Sequence, residues 1–113
     1  SPAPAPAPPR DATFVAAVNR GVAEMGQYGF GDAVATFTAL AQAHPTETGV
    51  AVNLAMARIN RQDAGDDVEA ERLLTPLVDD VTHGTRAKYS LGLLRLHAGR
   101  EAEAAPLLAA VAA

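Results

Sequence analysis

Val15, Val18, Val22 and Met25 recur every three or four residues, the spacing that lines one face of an α-helix. Tyr28-Gly29-Phe30-Gly31 interrupts that pattern with turn-forming residues, which predicts a first helix over about 12–27. Ala33, Phe37, Leu40 and Ala41 share the face of a second helix over about 31–43, stopped by Pro45 soon after His44. The same reasoning predicts helices over about 47–61, 67–81, 84–98 and 101–112, with Gly99 as the breaker before the last. Thr46 or Thr48 is expected to cap the third helix, and Asp66 or Asp67 the fourth. Pro76 and Pro106 fall inside the fourth and sixth helices and are expected to bend them. No stretch alternates with a period of two, so the expected class is all-α.

The small and large positions repeat. Ala33, Phe37 and Leu40 lie 12, 16 and 19 residues after Gly21, and Ala104, Leu108 and Val111 lie at the same distances after Gly92. A weaker copy, Ala55 followed by Ala70, Leu74 and Leu77, sits between them, with three extra residues assigned to the turn around Asp63-Ala64-Gly65-Asp66-Asp67. Glycine in a helix interior costs about 1 kcal/mol relative to alanine, so Gly21 and Gly92 imply close helix contact. The expected contacts are Gly21 against Ala33 and Gly92 against Ala104, with Phe37, Leu74 and Leu108 filling the space to the following hairpin.

This pattern resembles the tetratricopeptide repeat, whose unit of about 34 residues carries a small residue at its eighth position, Ala at its twentieth, a large apolar residue at its twenty-fourth and often Pro at its thirty-second. With Phe14 as the first position, Gly21, Ala33, Phe37 and Pro45 fall on those places; with Thr85 as the first, so do Gly92, Ala104 and Leu108. The bulky aromatic of the fourth position is replaced by Ala17, Ala51 and Lys88, so the repeats are degenerate. The resemblance implies three stacked antiparallel helical hairpins, a solenoid over residues 11–113 with repeats at about 14–47, 48–84 and 85–113. It also implies a concave groove lined by the first helix of each hairpin. Carried onto this chain, the groove takes Asn19, Met25, Asn53, Met56, Asn60, Arg86, Tyr89 and His97 as partner-binding residues, with Asn19 and Asn53 holding an extended backbone through their amides.

Residues 1–10 differ in character. Ala and Pro alternate after Ser1 and end in Pro8-Pro9 before Arg10. Proline fixes φ and removes amide donors, so an extended polyproline-type arm or linker is expected. Alanine–proline tracts often follow the cleavage site of exported bacterial proteins, which makes a periplasmic or extracellular setting the expectation and a cytoplasmic one the alternative.

Composition narrows the function classes. Apolar residues make up 49% of the chain and aromatics 4%, a core of Ala, Leu and Val that favours close helix approach. Nine Lys and Arg are scattered among thirteen Asp and Glu, for a net charge of −4, where nucleic-acid binding needs a basic stripe. The chain has no cysteine, which excludes disulfides, thiol nucleophiles and thiolate metal sites. The longest apolar run, Ala104 to Ala113, is too short to span a bilayer. His44, His83 and His97 are far apart, and none is paired with a carboxylate three or four residues on within a predicted helix; Asp63, Asp66 and Asp67 lack calcium-loop spacing and read as turn and cap residues; and Ser1 and Ser90 are the only serines. No enzyme, cofactor or metal is therefore expected. The last hairpin shows no polar helix after it, so Leu107, Leu108 and Val111 are expected to form a docking face. The expected role is a noncatalytic scaffold or accessory subunit of a larger protein assembly, with further copies of the chain among its partners. The alternative is an adaptor or chaperone-like module that binds an extended peptide in the groove.

Overall fold

The computed structural model describes residues 6–113; the first half of the expected arm, residues 1–5, lies outside the described residues. Residues 6–10 are irregular and exposed. Six α-helices follow: α1 (Ala12–Gly26), α2 (Phe30–Ala43), α3 (Thr48–Arg61), α4 (Asp66–Leu74), α5 (Gly84–His97) and α6 (Glu101–Ala112). A short 3₁₀ turn, Thr75–Leu77, extends α4, and there is no strand among the described residues. The chain is all-α, as the periodicity predicts.

Local chemistry sets the boundaries. Asp11 caps α1, its carboxylate accepting the Phe14 N–H at 2.9 Å, which satisfies one of the four amides a helix start leaves free. Tyr28 takes φ +60°, and the Gly29 N–H then closes the turn onto the Glu24 carbonyl at 2.8 Å. Gly65 and Gly99 adopt φ +84° and +76° before α4 and α6, a left-handed conformation that costs glycine nothing.

Three expected local features come out differently. The cap position of α3 is Glu47, with no side-chain cap bond, and the Thr48 hydroxyl bonds Asp80 Oδ2 at 3.3 Å instead. The cap position of α4 is Gly65, and Asp66 is fully buried as an ion-pair partner. The expected helix over 67–81 stops as an α-helix at Leu74, because Pro76 cannot donate to the carbonyl four residues back and its ring crowds it; the backbone tightens to 3₁₀ there. Pro106, by contrast, lies inside a continuous α6.

The extra residues of the middle copy are not confined to its turn. α3 runs six residues beyond Ala55, where α1 and α5 run five beyond Gly21 and Gly92; the α3–α4 connection has four residues where the other two have three; and α4 begins four residues before Ala70, where α2 and α6 begin three before Ala33 and Ala104. Each segment absorbs one residue.

Consecutive helices pack on one another from α1 to α6, and α3 also touches α5. Within the first hairpin Phe14, near the start of α1, packs in a tilted arrangement against His44, just past the end of α2, with ring centroids 4.5 Å apart, while Gly21 meets Phe37 further along; the two helices are antiparallel. The nearest side chain over each helix glycine is the large residue four positions beyond the expected alanine. A Cβ on Gly21 would stand 2.5 Å from Cζ of Phe37, and one on Gly92 2.7 Å from Cδ2 of Leu108. The space above each glycine is filled by the large residue 16 positions on, and Ala33 and Ala104 are buried.

Two core clusters result. One gathers Phe14, Ala33, Val34, Phe37, Leu40, Val50, Leu54 and Ala57; the other gathers Val52, Ala55, Ala70, Leu74, Ala87, Leu91 and Leu94. Val50, Leu54 and Ala57 on one side of α3 serve the first, and Val52 and Ala55 on another side serve the second. Fully burying one such large side chain contributes about 1.5–3 kcal/mol, and α3 alone supplies buried members of both clusters, with the half-buried Leu73 of α4 packed against each. It is the keel of the fold.

A candidate protein-docking groove

α1, α3 and α5 contribute side chains to one connected surface. Its first hollow, ≈ 290 Å³, lies over the N-terminal halves of the three helices and is walled by Arg10, Phe14, Val18, Glu47, Gly49, Val50, Asn53, His83 and Arg86. The second, ≈ 180 Å³, is walled by Val22, Met25, Phe37, Asn53, Met56 and Arg86. A third, ≈ 230 Å³, lies between α3 and α5 and is walled by Met56, Ile59, Asn60, Tyr89, Ser90, Leu93 and His97. Asn53 and Arg86 belong to both the first and the second, and Met56 to both the second and the third. The hollows therefore form one diagonal run.

The polar groups in that run are partly committed. The Arg86 guanidinium donates to Asn53 Oδ1 and lies 3.4 Å from the Met56 sulfur, bridging α5 to α3. With its oxygen taken, Asn53 presents its NH₂ as a donor with no partner among the described residues. Asn60 bonds back to the Met56 carbonyl at 2.8 Å. Tyr89 is 50% exposed and makes no hydrogen bond among the described residues. Floor and posts differ in chemistry: valine, methionine, isoleucine and leucine supply adaptable apolar contact, while Asn53, Arg86 and Tyr89 supply N–H and O–H donors.

The mouth of the first hollow is held by charge. Arg10 Nε donates to Glu47 Oε1 at 2.7 Å, which holds the Glu47 carboxyl below the usual carboxylate range. Asp80 accepts the backbone N–H groups of His83 and Thr82 at 2.9 and 3.2 Å, together with the Thr48 hydroxyl, and these bonds depress its pKa. Those contacts fasten the segment before α5 to the start of α3. The His83 ring fills the space above Gly49, where a Cβ would stand 2.8 Å from Nε2.

Seven of the eight expected groove residues meet in this run: Met25, Asn53, Met56, Asn60, Arg86, Tyr89 and His97. Asn19 is exposed and walls none of the hollows. Leu107, Leu108 and Val111 are half-buried; Leu108 covers Gly92, and Leu107 packs on the second core cluster. Among the described residues no three histidine, aspartate or glutamate side chains are placed to hold a metal ion, and no helix is long and apolar enough to cross a membrane.

Two features were not visible in the pattern of apolar positions. Asp66 is buried between Arg58 and Arg61, with N–O distances of 3.1 and 2.8 Å, and its second oxygen accepts the Asp63 N–H at 2.9 Å. These bonds, led by that from Arg61, hold its carboxyl down to about 2. A larger hollow, ≈ 410 Å³, lies outside the groove, between α1 and the C-terminal half of α2, where His44 Nδ1 is buried without a partner among the described residues. No family model matches the chain, and neither a curated protein nor a solved structure does.

Proposed function

We propose that this chain is a noncatalytic protein-binding scaffold, a degenerate tetratricopeptide-like solenoid that serves as an accessory subunit of a larger extracytoplasmic assembly. It holds its partner by seating an extended segment in the α1–α3–α5 groove. The observation that carries this reading is the connected run of hollows through Asn53, Arg86 and Met56, in which apolar wells alternate with polar side chains, two of them, the Asn53 NH₂ and the Tyr89 hydroxyl, without a hydrogen-bond partner among the described residues. An extended backbone leaves its carbonyls unpaired and its side chains splayed, and such a surface accepts both. The groove is favoured over α6 as the docking face, because Leu107 and Leu108 are already engaged within the chain.

Selection of extended peptides from a displayed library on the purified protein tests the reading. Tyr89→Ala, at a half-exposed position, is expected to weaken the selected peptides about tenfold or more while the thermal midpoint moves by no more than a few degrees. Asn53→Ala is expected to weaken them as well. Peptides that bind both variants as tightly as the parent place the docking surface elsewhere, and a library that yields no binder overturns the proposal.

A further inference from the structure

We infer, resting on the groove reading above, that the segment held there carries a basic side chain, lysine or arginine, which is received at the far end of the groove by Asp67, Asn60 and Gln62. A fourth hollow, ≈ 340 Å³, continues the run beyond the third and shares Ile59, Asn60 and His97 with it. It lies where α3 ends and α4 begins, with Gln62, Asp67, Leu94 and Ala98 completing its wall. The Asn60 amide nitrogen donates to the Met56 carbonyl at 2.8 Å, which leaves Oδ1 as an acceptor without a partner among the described residues. The Gln62 amide nitrogen is engaged in the same way, by the Ile59 carbonyl and by Asp67 Oδ1 at 3.4 Å, so its Oε1 is free as well. Asp67 has no cationic partner among the described residues, because Arg58 and Arg61 are bound to Asp66 and Arg72 to Glu69.

The wall therefore offers two amide oxygens and a carboxylate. Asn60 keeps one N–H and His97 its ring N–H, and these can serve a neutral guest; it is the Asp67 charge that selects a cationic one. Ile59, Leu94 and Ala98 lie beside the oxygens as apolar surface, which suits a methylene stem whose charged head sits among the acceptors. Charge along the groove gives the same direction. Arg86, in the first two hollows, is the one arginine without a carboxylate in ion-pair reach among the described residues, and the Glu47 carboxylate near it is taken by Arg10. A basic side chain is repelled at that end and drawn to the Asp67 end. Asp67 is exposed, so solvent screens the attraction and its worth is a few-fold in affinity.

Two selections of extended peptides from a displayed library, one on the purified parent and one on Asp67→Lys, test the inference. Asp67 stands in the first turn of α4, where a carboxylate favours the helix, so the thermal midpoint is recorded for every variant. The expected result is lysine or arginine at one fixed position of the parent-selected peptides, and aspartate or glutamate at that position on Asp67→Lys. Asp67→Asn, which removes the charge and keeps the size, is expected to weaken the parent-selected peptides about fivefold, with a smaller effect at high salt. Protons of the peptide's basic side chain should show contacts with the Ile59 and Leu94 methyl groups. Where Asp67→Lys does not fold, Asp67→Asn decides alone. Parent-selected peptides with no basic residue at a fixed position, the same residues returned by both proteins, or binding indifferent to Asp67→Asn overturns the assignment. Tyr89→Ala separates the two readings. If it weakens the selected peptides while Asp67→Asn does not, this inference falls and the groove reading stands; if the library yields no binder, both fall.

Discussion

Removing the Asp66 carboxylate should unfold this protein at temperatures where the parent is folded, and the size of the effect can be worked from its surroundings. The side chain is 1% exposed and accepts from Arg58, Arg61 and the Asp63 backbone. In the unfolded chain the carboxyl titrates near its ordinary 3.8, whereas in the fold it is held to about 2. A folded pKa below the unfolded one means that the ionised form stabilises the fold at pH above about 4, and that this contribution is lost as pH falls toward 2. The gap corresponds to about 2–3 kcal/mol at neutral pH. Asp66→Asn, which keeps the shape and removes the charge, should cost about that much.

Asp66→Ala should cost more, about 3 kcal/mol or somewhat above, because Arg58 and Arg61 are then left partly buried without their shared acceptor. Their side chains are 22% and 28% exposed, so water relieves part of the penalty and the lower end of the range for a broken buried pair applies. In a domain of this size 1 kcal/mol moves the thermal midpoint by about 4–8 °C, so the Asn variant should melt about 10–20 °C below the parent at pH 7. The assay is helical circular dichroism against temperature at pH 7, 5, 4 and 2.5. Glu47, Glu69, Glu71, Asp80 and Glu103 also titrate low in the fold, so the parent's own acid profile mixes several groups. The difference between parent and Asn variant isolates Asp66. It should be largest at pH 7 and shrink steadily below pH 4. A midpoint difference under about 3 °C at pH 7, or one as large at pH 2.5 as at pH 7, refutes the reasoning.

The two buried helix glycines should respond to the same change in different degree. Gly21→Ala pushes a Cβ into the end of the rigid Phe37 ring and should destabilise by about 1–3 kcal/mol despite alanine's better helix propensity, whereas Gly92→Ala meets Cδ2 and Cγ of Leu108, a half-buried side chain with room to turn aside, and should cost less than Gly21→Ala; urea titration of both variants measures the contrast. Pro106 removes one backbone bond from a continuous α6, so Pro106→Ala should stabilise by about 1–3 kcal/mol, read as a raised urea midpoint at unchanged slope; a lowered midpoint would show that the ring itself is packed in place.

The helices were legible in the sequence because packing against one neighbour writes a three- to four-residue period, and the chain punctuates it with Gly29, Pro45 and Gly99. What escaped was governed by partners distant in space. Asp66 reads as a cap since it follows Asp63-Ala64-Gly65 and opens a helix, and only Arg58 and Arg61, one helical turn apart just before it, hint that a charge is to be buried there. The repeat of small residues at that spacing pairs Gly21 with Ala33 and is silent about Phe37. In the structure the missing side chain makes room for a ring, and a ring's reach spans more of the hairpin than a methyl group does.

The groove shows why one expected residue fell outside it. Asn19 and Asn53 hold equivalent places in their hairpins, so a reading by repeat position gives them one role. Position along a stack is not equivalent, however. α3 shares hollows with α1 on one side and with α5 on the other, so a side chain on its concave face meets a wall in both directions, and Asn53 has Arg86 to bind. α1 packs on α2 and has no helix on its outer flank, so Asn19 has nothing to bind across and stands exposed. A hollow needs two walls. The interior hairpin therefore concentrates the binding chemistry, with Asn53 and Met56 of α3 shared between adjoining hollows, and an edge position becomes part of a site only when another molecule supplies the second wall.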